Sequence, residues 1–392
     1  MEKKKLLVTA STFPRWNGDT EPRFVLDLCI GLNKYFDVTV LVPMCPNAKE
    51  EEYLEGVHVI RYHYFPIHKW ETLCYPGAIV PRIKEKKIRI FLVPFLFLGL
   101  ILKLFKILPQ YDYVHAHWII PQGIIQSFFK KPYLITSHGG DITSMNKGIM
   151  KRLKKRCLEN ASHITVVSNS LKEIVVQDYK INPKKVDIIS MGCDTTSFGI
   201  KYRKENYFNQ NNKPVILFVG RLARVKGIEY LIKAVDGLDA KLVIVGSGDQ
   251  ERTLKDLAKD INCEIEFLGA KTHDQLSEIY ASADVFVAPS VTLEDGAKEG
   301  FGLVVLEAMA SSLPVVVSNS GGLPEIIKDK ENGFVFQEKN VDELKNILNL
   351  LIENMSLRKE YAAKSLKSVQ KWDYSNIAKR YEQVIVEKME DN

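Results

Sequence analysis

The strongest constraint on the fold is a repeated local pattern, in which a short apolar run ends in a glycine-bearing loop and gives way to a helical pattern. Pro214-Val-Ile-Leu-Phe-Val-Gly220 is continuously apolar, which suits a parallel strand covered on both faces. Val285-Phe-Val-Ala288 is a second such run, and it leads through a loop rich in Ser, Asp and Gly into Glu299-Gly-Phe-Gly-Leu-Val-Val-Leu-Glu307. This stretch predicts a glycine turn and a helix beginning near Leu303. The first amides of such a helix lack intrahelical partners and carry the positive end of the macrodipole. They offer a seat to an anion such as a diphosphate, and glycine lets a bulky ligand touch the backbone. Glu299 and Glu307 bracket that seat, and carboxylates accept hydrogen bonds from hydroxyls. A nucleotide sugar, with phosphate between two hydroxylated parts, fits this description.

Leu6-Leu-Val-Thr-Ala10, the polar loop at 11–23 and an apolar helix over 24–35 form a first strand, loop and helix. In a doubly wound sheet, ligands collect outside such carboxyl ends. Strands are predicted over 37–42 and 57–62. Tyr113-Val-His-Ala-His117-Trp118 and Tyr133-Leu-Ile-Thr-Ser-His138-Gly-Gly-Asp141 are two further strand ends, and their exposed histidines suggest one cleft. His115, His117 and His138 lack a clear further ligand, so no metal site is expected. Lys241-Leu-Val-Ile-Val-Gly-Ser-Gly248 is not a dinucleotide fingerprint, because the third glycine would fall at Glu251. Gly246 is a tight turn after a strand instead.

The chain has 392 residues, 46% hydrophobic and 26% charged, which suits two folded domains of ordinary composition. Its six cysteines are scattered, with no Cys-x-x-Cys pair, as expected in a reducing compartment. The opening apolar run is too short for a signal-peptide core, so the expected location is cytoplasmic. Residues 1–200 hold 28 Lys and Arg against 18 Asp and Glu, a balance of +10 within an overall +6. A basic N-terminal half points to an acidic partner such as anionic lipid or nucleic acid, although no nucleic-acid motif is present. The most apolar segment, 88–102, is uncharged only from Ile90 to Leu102, short of the roughly 20 residues a spanning helix needs. Arg82, Lys84, Lys86, Lys87 and Arg89 on one side and Lys103 and Lys106 on the other flank it. Two readings stay open: a helix lying in the membrane interface, and a buried helix of the N-terminal domain. The cluster Lys151-Arg-Leu-Lys-Lys-Arg156 either joins that face or is a solvated helix surface.

Pro289-Ser290, Glu299-Gly-Phe-Gly-Leu, Glu307-Ala-Met-Ala, Pro314-Val-Val-Val, Gly321-Gly-Leu-Pro-Glu325 and Asn332-Gly333 occur in that order over one segment. Together they resemble the donor-binding half of family 4 retaining glycosyltransferases, and Gly220-Arg-Leu-Ala-Arg-Val-Lys-Gly227 resembles the same family's phosphate clamp. The resemblance implies an α/β, GT-B-like fold of two doubly wound parallel-sheet domains facing across a cleft. The expected boundaries are 1–197 for the acceptor-side domain, 198–213 for a polar linker, 214–372 for the donor domain and 373–392 for a final helix returning to the first domain.

The resemblance also implies roles. Arg221 and Lys226 neutralise the leaving diphosphate, Glu299 holds sugar hydroxyls, Glu307 holds the ribose, and His138 approaches the transferred sugar. Gly18, Gly220, Gly246, Leu268, Gly300, Phe301, Gly302 and Leu303 are expected beside the donor. Arg15, Asp19, His117 and Asp141 are expected on the acceptor side. The implied reaction moves a hexosyl group of mannose or glucose type, with retention, from a UDP- or GDP-linked sugar to a glycan or lipid-linked acceptor in envelope glycan assembly. No cofactor and no metal is expected, since the chain lacks an Asp-x-Asp motif. Peripheral contact with anionic membrane is expected and binding of nucleic acid is not. A GT-B-like epimerase or phosphorylase, and a non-catalytic nucleotide-sugar-binding protein, are the alternatives.

Overall fold

Apolar runs become buried parallel strands throughout the computed structural model, which describes residues 3–19, 21–77, 79–209 and 213–391. The chain divides into two units, Met1–Met191 with Tyr374–Asn392, and Gly192–Asp373.

The first unit is built on a sheet of eight strands: β1 (Lys5–Thr9), β2 (Asp37–Pro43), β3 (Glu51–Leu54), β4 (Val57–Tyr62), β5 (Tyr113–His117), β6 (Tyr133–Ser137), β7 (His163–Val166) and β8 (Val186–Ile188). Their order is β3-β4-β2-β1-β5-β6-β7-β8. All neighbours are parallel except β3, which runs antiparallel to β4 at the edge. The sequence pattern missed β3 because Glu-Glu-Tyr-Leu has no apolar run, and its charges suit an edge that must not recruit another strand. The first helix, Phe24–Leu32, is shorter than expected. It lies against the terminal helix Tyr374–Glu390. A Cβ at Gly31 would stand 2.7 Å from that of Ala378, so glycine permits the close crossing. Tyr381 and Arg380 then donate to the carbonyls of Ile189 (3.1 Å) and Ile188 (2.7 Å), fastening the terminal helix to the end of β8.

The apolar segment forms a 3-10 stretch, Lys87–Leu92, followed by the helix Val93–Ile107. Helical structure is continuous over the 24 residues Lys87–Gln110, whose most apolar 18-residue stretch has a mean hydropathy of 2.3, and is long and apolar enough to cross a membrane by length and composition. The uncharged stretch counted from the sequence understated this length, because Arg89, Lys103 and Lys106 lie inside the helical segment.

The second unit holds six parallel strands, β9 (Val215–Val219), β10 (Lys241–Val245), β11 (Glu264–Gly269), β12 (Val285–Ala288), β13 (Val315–Ser318) and β14 (Phe334–Phe336), in the order β11-β10-β9-β12-β13-β14. Ile216, Phe218, Leu242 and Ile244 pack with Leu231, Ile232, Leu344 and Leu348 from the helices Ile228–Ala234 and Val341–Glu353. Residues 198–209, part of the polar run read as a linker, fold onto this unit. Arg203 donates to the Ala283 carbonyl at 3.1 Å and pairs with Asp284 at 3.1 Å, while Phe198 meets the ring of Tyr280 edge-on at 5.6 Å. Residues 210–212 of that run lie outside the described residues.

Candidate active site

In an open α/β sheet a ligand site forms where successive connections leave a strand in opposite directions. In the second unit that point lies between β9 and β12. The loops leaving β9 and β10 are interlocked there: Leu222 donates to the Ser247 carbonyl at 2.9 Å and Gln250 to that of Leu222 at 3.0 Å. A Cβ at Gly246 would stand 1.9 Å from the Gly220 carbonyl oxygen, so only glycine allows this approach. Gly246 also donates to the Gly269 carbonyl at 2.9 Å, which brings the backbone beside Leu268 to the same edge. Leu268 itself falls where the β10–β11 register shifts, and such a bulge leaves a residue outside the ladder.

The loop after β12 carries Glu299 to Lys226. The Lys226 ammonium donates to Glu299 Oε2, and Ser290 donates to the same oxygen at 3.2 Å. Burial pushes the Glu299 carboxyl up, but Lys226, Ser290 and the Gly300 N–H outweigh it and hold the carboxyl below its ordinary value. Glu299 therefore stays ionised at neutral pH and can accept from hydroxyls. Arg221 stands exposed at the end of β9, a guanidinium facing water as an anion clamp requires.

The predicted helix begins at Leu303 and runs to Ala310, with Gly302 at φ 100° before it. Val305 N–H is already taken by the Gly302 carbonyl at 2.9 Å, which leaves Leu303 and Val304 to open the helix. Phe301 is buried and lies edge-on to Trp372 at 6.4 Å, so its side chain anchors the turn. Glu307 accepts a hydrogen bond from the buried Tyr280 hydroxyl at 2.8 Å. Ser290 and Tyr280 were not among the predicted site residues. Ser290 had a positional signal, two residues past the strand, whereas Tyr280 sits in an amphipathic helix whose pattern does not single it out.

The first unit also gathers its candidates at strand carboxyl ends. His115, His117 and His138 stack in a column, with ring centroids 4.2 Å apart for the first pair and 5.2 Å for the second. His117 Nδ1 and His138 Nε2 share a hydrogen bond of 3.0 Å. Burial drives His115 and His138 down to about 3 and His117 well below its ordinary value, so the column is neutral at pH 7. With Nε2 engaged, His138 offers only Nδ1 to a ligand. Phe24 (5.1 Å) and Trp118 (4.8 Å) flank its ring.

Asp141 departs from its expected acceptor role. One oxygen accepts from Ser137 (2.9 Å) and from the His138 and Gly139 amides (both 3.1 Å), and the other from Ile119 N–H (2.8 Å). Burial raises its pKa despite these donors. The carboxylate clasps the ends of β5 and β6 and so holds His117 and His138 in place.

Arg15 and Asp19 also meet each other. Arg15 grips the Asp19 carboxylate through Nε (3.0 Å) and Nη2 (3.1 Å). Its guanidinium lies over the rings of Trp16 (3.7 Å) and Tyr75 (3.4 Å). Gly18, at φ 77° with nothing within 4 Å of a built Cβ, marks an open turn between them. The neighbouring Glu21 was missed by the sequence reading. It is buried, accepts from Gly77 N–H at 2.9 Å, and is raised in pKa by burial.

Among the described residues, His63, His68 and Glu71 are grouped closely enough to hold a metal ion. Both ring nitrogens of His63 are engaged, by Glu71 at 2.7 Å and Glu50 at 3.1 Å. Burial lowers its pKa, yet those carboxylates raise it on balance. With both ring nitrogens on carboxylates, His63 ties the loop together as a hydrogen-bonded clasp.

Comparison with known proteins agrees with this geometry. Residues 22–197 match the Glycosyltransferase Family 4 profile, and residues 201–368 match Glycosyl transferases group 1. An uncharacterized glycosyltransferase of Methanocaldococcus jannaschii is 36% identical over 294 residues, 69% of this chain and 74% of that one. The chain belongs to the group 1 glycosyltransferases. A GDP-mannose-dependent monoacylated phosphatidylinositol monomannoside mannosyltransferase of Corynebacterium glutamicum is 35% identical over 52% of this chain and 55% of its own length. Sucrose-phosphate synthase from Thermosynechococcus elongatus shares the fold with a TM-score of 0.78 at 20% identity, covering 100% of both chains. The fold of this glycosyltransferase is therefore GT-B-like, and its chemistry is nucleotide-sugar-dependent sugar transfer.

Proposed function

We propose that this glycosyltransferase moves a hexosyl group of mannose or glucose type from a UDP- or GDP-linked donor to a hydroxyl of a glycan or lipid-linked acceptor, with retention. The observation that carries the donor assignment is the Lys226–Glu299 pair beside the free amides of the Leu303–Ala310 helix at the switch point of the second sheet. Arg221, Lys226 and those amides would meet the diphosphate, Glu299 the sugar hydroxyls and Glu307 the ribose. The bond from the anomeric carbon to the diphosphate oxygen breaks. The acceptor oxygen bonds to that carbon on the same face, and its proton passes to the leaving phosphate. Positive groups fixed around the departing charge supply the stabilisation, and no divalent ion takes part in the proposed step. The mannose reading draws on the Corynebacterium relative's name, and six free cysteines favour work in a reducing compartment.

Thermal unfolding against UDP, GDP, ADP and their sugar conjugates tests the reading. Ligand at about a hundred times its dissociation constant adds about 2.7 kcal/mol to the unit that binds it. Selective stabilisation by one nucleotide family, weakened in Glu307→Gln, is expected. Turnover should persist in EDTA, and NMR of the product should show the donor's anomeric configuration. An inverted product, or turnover abolished by EDTA and restored by metal, would overturn the mechanism.

A further inference from the structure

The Val93–Ile107 helix is apolar on two opposite faces. Leu96, Leu100, Leu104 and Ile107 are buried against the first unit. A Cβ at Gly99 would stand 2.9 Å from the His63 carbonyl oxygen, so the helix lies as close to β4's exit loop as a backbone allows. The other face carries a second stripe, Phe95 (40% exposed), Leu98 (50%), Leu102 (62%) and Phe105 (77%), which Phe91 (72%) of the preceding 3-10 stretch prolongs. Its four- and three-residue steps are those of a helix presenting one face to an apolar partner, and at 1.5 Å per residue it extends roughly 20 Å. The loop that Glu71 clasps widens the patch. Phe65 meets Phe95 edge-on at 4.9 Å and stacks on Trp70 at 5.8 Å, leaving Trp70 52% exposed.

Charge borders this patch with one sign. No Asp or Glu occurs between Lys86 and Tyr111. Lys84, Lys86 and Lys87 are exposed at one end of the stripe and Lys106 at the other, while nearby Glu85 is paired with Arg82 and Arg89. The basic helix Gly148–Asn160 belongs to the same unit, with the Ile124–Gln126 turn in contact with both it and the apolar helix. Its Lys151, Arg152, Lys155 and Arg156 are exposed. Lys154 is not: its ammonium is buried on the Ile142 and Ser144 carbonyls and the Asn146 side chain.

We propose that this face is a docking surface for an anionic lipid bilayer, with the Phe91–Phe105 stripe and Trp70 sunk among the headgroups and acyl chains and the lysines against lipid phosphates. The stripe is the apolar half of such a contact and the acid-free basic border its electrostatic half, while an indole at the rim suits the interface. A second copy of the chain would bring the same positive border against this one. A spanning arrangement would strip Leu96, Leu100 and Leu104 from the unit they complete. The inference does not depend on the donor or the reaction.

The test is flotation of the full chain with vesicles of phosphatidylcholine alone or with about a third phosphatidylglycerol. Wild type should float with the anionic vesicles and be recovered far less with the neutral ones. Phe91→Ser with Phe105→Ser removes two largely exposed side chains, so flotation should fall with the unfolding midpoint little changed. Lys86→Gln with Lys87→Gln should weaken partition roughly 25-fold, about fivefold per lysine. Brominated lipid should quench wild-type tryptophan fluorescence, and Trp70→Phe should lose most of that quenching. Flotation unmoved by either double variant, or absent for wild type, overturns the proposal. So does a dimer that forms only with the phenylalanines present, or retention in membranes at alkaline pH, which would mean that a second copy or a span covers the stripe.

Discussion

Gly321→Ala should disable the enzyme through the backbone of Glu299. Gly321 adopts φ 59°, and a Cβ there would stand 2.0 Å from the Glu299 carbonyl oxygen and 2.8 Å from its carbonyl carbon. Ordinary contact begins at 3.4 Å, so the two segments must part by more than 1 Å, on the order of the misplacement that costs about a hundredfold in rate. The Gly322 N–H bond to the same carbonyl, 3.2 Å, would stretch with it, and Glu299 would be drawn from Lys226 and Ser290. The left-handed conformation costs about 1–2 kcal/mol with alanine, and the forced backbone shift about 1–3 more. For a unit of this size each kcal/mol lowers the midpoint by about 2–4 °C, so calorimetry should place the second unit's transition roughly 4–20 °C lower.

The control is Gly237→Ala, which has φ 74° but nothing within 4 Å of the new Cβ. It bears the conformational cost alone and should leave nucleotide release from the donor within about twofold of wild type, with turnover measured well below either midpoint. More than about half of wild-type turnover in Gly321→Ala would refute backbone overlap as the cause, and so would an equal loss in Gly237→Ala.

Three further outcomes are expected. The Glu299 carboxyl is held below its ordinary 4.5 in the fold, so its stabilising contribution is present above that pH and disappears as pH falls through the folded value. Calorimetry of Glu299→Gln should therefore show a shallower acid limb for the second unit, and parallel limbs would refute the assignment. Asp141→Asn turns an amide NH2 toward either the Ile119 N–H or the three donors at Oδ1, leaving buried donors unmatched at about 1–3 kcal/mol each. The first unit should melt lower while nucleotide stabilisation of the second is unchanged. Tyr280→Phe removes the 2.8 Å donor to Glu307 and should weaken nucleoside diphosphate affinity roughly 2–10-fold by calorimetric titration, whereas unchanged affinity would detach Glu307 from the ribose.

The pattern of apolar runs and glycine turns carried most of this fold, because a strand buried on both faces must be apolar throughout and a turn against another backbone must be glycine. The helix start at Leu303 and the edge at Gly246 were legible for that reason. What escaped was chemistry between residues distant in sequence. Asp141 resembles an exposed acceptor ligand until its four donors are seen, and Lys154 resembles its basic neighbours until its ammonium is found on two carbonyls. Strand β3 escaped because an edge is protected by the charges that hide it from a hydrophobic pattern.

The same distinction bears on why the donor class is readable and the sugar is not. At four places a new Cβ would fall about 2 Å from a carbonyl oxygen of a neighbouring loop: Gly227 against Pro289, Gly246 against Gly220, Gly248 against Leu222, and Gly321 against Glu299. Backbone crossings of this kind fix where amides and the Lys226–Glu299 pair stand, and they require glycine whatever sugar is carried. Choice among hexoses rests on hydroxyl orientation. Side chains in the exposed turn at Glu294, Asp295 and Gly296 can change without disturbing those crossings. Exchanging that turn between relatives should then alter sugar preference while leaving nucleotide affinity and the second unit's unfolding midpoint in place.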